Sequence, residues 1–113
     1  MPIHLLRERA TLLQVQEMLQ ELVGYIKLAV DIRKSIAAGG GELHADCEQV
    51  LLEDGSRQED VWGADWDPHS QKVAFDALIN IRPRQSNPSM QILDPVIREK
   101  VEGVVRSLLE GVS

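Results

Sequence analysis

Residues 44–48, "HADCE", place a His, an Asp, a Cys and a Glu within one short stretch. These are the side chains of metal sites and of cysteine nucleophiles. If 43–54 is a helix, each residue advances about 100° around its axis. Leu43, Cys47, Val50 and Leu51 then share one stripe, and Cys47 falls on the buried side as a small, inert hydrophobe. Asp46 lies about 160° from His44 on such a helix, too far round to share an ion with it. His44 and Glu48 are neighbours at i and i+4, but a metal there needs a third ligand from elsewhere. A cysteine nucleophile needs a His base, and neither His4 nor His69 is placed to supply one. A second reading starts the helix later, with Asp46 as N-cap, Gln49 at N3 and Gly55 after the C-terminus. "GELHA" is then extended, and His44 points away. Both readings give Asp46 and Cys47 structural roles and leave His44 the least explained.

"INIRPRQSN" (79–87) is the other chemical stretch. A strand pattern ends there, and Arg82, Arg84, Gln85 and Asn87 follow in a loop. Strand ends and their loops are common ligand sites, and guanidinium forks suit carboxylates and phosphates. Arg82 and Arg84 would clamp an anion, with His44 and Asp60 or Asp65 as acid–base groups. The competing reading pairs these arginines with acidic residues and makes them loop anchors. Trp62 and Trp66 share one strand face, which makes them core or a dimer interface. "EDGSRQEDVWGADW" (53–66) fails the spacing of a calcium loop, and Gly39–Gly41 lack the Lys-Ser/Thr of a phosphate loop. No cofactor motif and no complete metal set is present.

These residues need positioning elements. "IHLLR" (3–7) predicts a short strand. Thr11 with Gln14 has capping-box spacing, and Leu12, Val15, Leu19 and Leu22 extend a helix over 11–22. "YIKLAVDI" (25–32) alternates as a half-buried strand. "SIAAGGG" (35–41) is a partner strand or a loop. "QEDVWGADWDP" and "QKVAFDALINI" form a hairpin around the turn "DPHS", with Val73, Phe75, Ala77, Ile79 and Ile81 on one face. Residues 82–93 are a loop. Asp94-Pro95 opens a helix whose stripe is Ile97, Val101, Val104, Val105, Leu108 and Leu109, ended by Gly111.

The 113 residues suit one domain. Aromatics make up only 4%, so the core is aliphatic. One cysteine leaves no intrachain disulfide. "MPIHLLRERA" lacks a signal peptide's apolar run, and no run approaches the ~20 apolar residues of a membrane span. A reducing cytoplasm is the expected location. The net charge of −6 argues against a nucleic-acid partner. Residues 42–67 carry nine acids against Arg57 alone, a solvated face or a place for cations or a basic partner.

"IKLAVDI", "GGELHADCEQVLLEDGSRQEDVWGADW", "INIRPRQSN" and "DPVIREKV" together resemble a small bacterial family known only as a domain of unknown function. The resemblance covers nearly the whole chain and implies no activity, substrate or catalytic residue. The residues themselves predict a single α+β domain, a small antiparallel or mixed sheet with helices 11–22, 44–54 and 94–110 packed on one face. The expected function is a binding or protein-interaction domain without catalytic machinery, with a homodimer through the Trp face or an unidentified protein partner. The alternative is an enzyme or binding domain for an anionic small molecule.

Overall fold

The computed structural model describes residues 3–20, 22 and 24–112. Its elements are β1 (His4–Leu6), α1 (Leu12–Met18), β2 (Ile26–Asp31), β3 (Ile36–Gly39), α2 (His44–Glu53), β4 (Val61–Asp67), β5 (Lys72–Ala74) and α3 (Pro95–Leu109). Single 3-10 turns occupy Gln58–Asp60, Leu78–Asn80 and Pro83–Gln85. The strands form one antiparallel sheet in the order β1-β3-β2-β4-β5, so the fold is α+β. "SIAAGGG" supplies an interior strand of this sheet.

Helices cover both faces, not the single face expected. On one side α1 and α3 bury Leu6, Val15, Met18, Leu28, Trp62, Trp66 and Leu109 in one cluster. On the other, α2 buries Cys47 and Leu51 against Ala29, Ala38 and Val61. The reason lies in β2. Lys27, Ala29 and Asp31 read as its polar face, yet Ala29 and Asp31 are fully buried. Ala29 is small enough for α2 to lie close. Asp31 is satisfied in place: its Oδ2 accepts from the Ser56 hydroxyl at 2.6 Å, and its Oδ1 from the Arg33 and Lys34 amides.

Local signals set several boundaries. In α1 the Gln14 amide donates to Thr11 Oγ1 and the Thr11 amide donates to Gln14 Oε1, a complete capping box. This helix stops at Met18 rather than 22 because the chain must reverse to enter β2. Asp94 caps α3 through the Val96 amide, with Pro95 at the first helical position. Of the α3 stripe, Val101, Val104, Val105, Leu108 and Leu109 are buried as the spacing predicts, and Ile97 is half-buried at its start. The 67–70 turn is held by Asp67 Oδ1, which accepts from the His69 and Ser70 amides.

The second hairpin strand departs most from expectation. β5 ends at Ala74, and the predicted face of Val73, Phe75, Ala77, Ile79 and Ile81 splits. Phe75 joins the α3 cluster, Ile79 packs on the α2 side, and Ile81 is exposed. The chain crosses β4 at Gly63, where a Cβ would stand 2.4 Å from that of Ala77. Only glycine permits that approach. Among the described residues, no helix is long and apolar enough to cross a membrane.

Candidate functional site

The loop after β5 is fixed by two buried asparagines. Asn80 receives the Gly63 amide on Oδ1 at 2.8 Å, and its Nδ2 donates to the carbonyls of Gly63, Phe75 and Met90. Asn87 donates from Nδ2 to the carbonyls of Asn80, Ser89 and Gln91 and accepts from the Leu93 amide. The Arg82 and Asn87 backbones bond reciprocally and pinch off the tip between them. Pro83 starts the 3-10 turn in that tip, and Ser86 closes it at φ 58°. Irregular backbone is thus held as firmly as a strand.

This locked loop forms one wall of a groove of about 650 Å³. Leu78, Ile79, Ile81, Arg82, Pro83, Arg84 and Gln85 line it from the loop; α2 contributes Glu48, and the 58–60 turn contributes Gln58 and Glu59.

Arg82 is the groove's inner hub. Its Nε–H donates to the Ile79 carbonyl, Nη1 to the Gln58 carbonyl and Gln85 Oε1, and Nη2 to Glu48 Oε2 at 3.3 Å. The guanidinium also lies 4.8 Å from the Trp62 ring centroid. Burial pushes the Glu48 carboxyl above its ordinary pKa, and the charge of Arg82 offsets this only in part. Burial likewise lowers the Arg82 guanidinium, with Glu48 opposing. Both partners are thus displaced toward their neutral forms, so desolvation outweighs attraction.

The predicted residues separate into distinct roles. Arg82 is an anchor, bonded within the chain through Nε, Nη1 and Nη2. Arg84 is exposed and has no ion-pair partner among the described residues. Gln85 donates to the Glu59 carbonyl and ties the loop tip to the 58–60 turn. Asn87 is a buried scaffold residue.

His44 and Asp65 do come together, with His44 Nε2 2.7 Å from Asp65 Oδ1 and 3.2 Å from the Ala64 carbonyl. They line a second cleft of about 360 Å³ with Lys27, Leu43, Asp76 and Met90. Leu78 and Ile79 border both clefts. The His–Asp pair and the arginines therefore line two different clefts that share Leu78 and Ile79. Asp60, the alternative carboxylate, lies 3.3 Å from Arg33 instead.

Within α2, His44 is the first residue and Leu43 the N-cap. Asp46 is at N3, where its carboxylate accepts from the Leu43 amide, so it is not the N-cap of a later-starting helix. Cys47 is fully buried, with its thiol pushed up to about 11 by burial. Among the described residues no three His, Cys, Asp or Glu side chains are grouped to hold a metal. Of the two readings of Trp62 and Trp66, core or dimer interface, the structure bears out the core: they are 1% and 0% exposed, inside the α1–α3 cluster. α1 and α3 cover the Trp face of the sheet, and α2 covers the other.

Sequence reasoning missed Glu48 as the partner of Arg82, Asn80 as the loop lock and Leu78 as the groove rim. The polar residue inside the apolar run "ALINI" was a usable signal for Asn80, since a buried amide must find partners.

No curated protein and no solved structure matches the chain. A family model does match, over residues 4–108, and the chain accordingly belongs to the family described as Protein of unknown function (DUF5674).

Proposed function

We propose that this protein is a small binding domain, without catalytic machinery of its own, whose ligand sits in the groove beside Leu78. The observation that carries this reading is Leu78 itself. Its side chain is 71% exposed, on a loop locked by the buried Asn80. Ile81, on the same rim, is 45% exposed. Apolar side chains held in water on rigid backbone form a preorganised contact, which loses little freedom when a ligand arrives. Charged and amide groups at the back of the groove can orient what binds.

Two further features favour binding over catalysis. The thiol of Cys47 is buried and held protonated, so it is not a ready nucleophile. The His44–Asp65 pair lines a different cleft from the arginines. A groove beside Leu12, Val15 and Leu19 has a similar size, about 500 Å³, but among the described residues its only side-chain polar groups are those of Gln16 and His69.

A fragment screen by amide-resolved NMR tests the reading. Fragments are expected to shift the amides of 48, 58–59 and 78–85, and these shifts should vanish in Leu78→Ser/Ile81→Ser. Hits confined to the Leu12 groove, or none in the Leu78 groove, would overturn it.

A further inference from the structure

We propose that the partner of the Leu78 face is a second copy of this chain, docked through residues 76–84 in a two-fold symmetric dimer. This rests on the reading of Leu78 as a preorganised contact and names what it contacts.

The segment is self-complementary. Along it stand Asp76, Leu78, Ile81 and Arg84, an acid, two apolar side chains and a base, all exposed. Ala77 and Asn80, which alternate with them, are buried. Laid antiparallel on itself about a midpoint near Asn80, the segment sets Asp76 against the partner's Arg84 and Leu78 against the partner's Ile81. A two-fold axis makes each of these contacts twice. Every exposed group of the segment is thus answered by another group of the same segment.

The charges are available for this. Neither Asp76 nor Arg84 has an ion-pair partner among the described residues. The Asp76 carboxylate accepts from Gln91 Nε2, a neutral donor that leaves its charge uncompensated. The apolar surface extends beyond the segment. Leu78 borders both clefts, with Ile81 in one and the exposed Leu43 and Met90 in the other. Contiguous apolar surface rimmed by polar groups marks a protein interface. Asn80 and Asn87 already hold the backbone, so docking orders little. A face this narrow gives a weak, concentration-dependent dimer.

Sedimentation velocity of the full chain over a concentration series tests the inference. The parent protein is expected to dimerise, and Leu78→Ser to remain monomeric. Asp76→Lys and Arg84→Glu each place like charges at both symmetric contacts, so each should weaken association at least about tenfold. An equal mixture of these two variants should dimerise as the parent does, because in the mixed dimer each charge again meets its opposite. A variant that had merely misfolded would not be rescued in this way. A parent that stays monomeric, a dimer that survives Leu78→Ser, or a mixture that does not recover would each overturn the inference. The fragment titration, run on Asp76→Lys so that the face is free, separates the two proposals. If the parent is monomeric and fragments shift the groove amides, the dimer fails alone; if the parent is monomeric and nothing shifts them, both fail.

Discussion

Arg82 and Glu48 meet at 3.3 Å with side chains only 9% and 11% exposed, and each is displaced toward its neutral form by the burial they share. Such a pair adds little to stability, yet breaking it from one side strands the other charge. Glu48→Ala is therefore expected to destabilise by about 3 kcal/mol, the low end for a buried pair because the groove admits water. Replacing both residues with apolar side chains of similar length, Glu48→Leu with Arg82→Met, should cost clearly less than the sum of the single changes. Urea unfolding of the four proteins in a double-mutant cycle measures the difference. Additive effects would show that the pair is not coupled.

Asn80 occupies the place of a neighbouring strand at Gly63, bonding both its N–H and its C=O. Asn80→Leu keeps the volume and removes every one of these bonds. Two buried backbone groups of Gly63 then lack partners, at about 1–3 kcal/mol each. A loss of more than about 2 kcal/mol is expected, with faster hydrogen exchange at the Gly63 amide. Unchanged protection there would mean that water or another group replaces the side chain without cost.

How much of this was legible in the sequence depended on the range of the interactions. The Thr11–Gln14 capping box and the α3 stripe are made within one or two helical turns, so spacing alone revealed them. Arg82 stood out as a chemical residue, but its partner Glu48 is 34 positions away, and no spacing rule spans that distance. The same limit hid His44: its companion Asp65 is 21 positions off, on β4. β5 was overread because alternation continues past Ala74, while the crossing at Gly63 is a tertiary event. The buried Asp31–Ser56 pair shows the reverse failure, a polar residue taken as solvent-facing that the fold satisfies internally.

Trp62 and Trp66 sit in the core, so their loss should unfold the protein rather than separate subunits. Truncating either to Ala is expected to cost about 3–5 kcal/mol, a large part of the 5–15 kcal/mol that typically holds a domain together. Fluorescence checks the premise directly: native emission should be blue-shifted and move to the red across the urea transition. A native spectrum already at the solvent-exposed wavelength would contradict the burial.

Two carboxylates shift in opposite directions, so their pH signatures differ. Glu48 has a folded pKa above 4.5; the folded state prefers its protonated form, and this contribution is complete below 4.5 and lost as pH rises through the folded value. The wild type should therefore lose stability relative to Glu48→Gln as pH climbs through the window above 4.5. Asp67 is lowered from 3.8, first by the Ser70 amide it accepts from. Its contribution is present above 3.8 and lost as pH falls through the folded value. Asp67→Ala should cost stability at neutral pH, with the difference closing in acid. Urea midpoints across this range separate the two, and parallel curves for wild type and both variants would refute the assignment.

The His44–Asp65 contact ties the first turn of α2 to β4, bridging the helix and the sheet on the side away from α3. If that tether is its role, His44→Gln and Asp65→Asn should each lower stability by about 1 kcal/mol, the ordinary worth of one net hydrogen bond. Both variants should leave fragment shifts in the Leu78 groove unchanged, since the pair lines the neighbouring cleft. Hydrogen exchange should quicken at the first amides of α2 before it quickens at those of α3, because only the former are held by this contact. The opposite result, intact stability with altered binding at Leu78, would move the pair from scaffold to ligand site. It would also unite the two clefts that Leu78 and Ile79 divide.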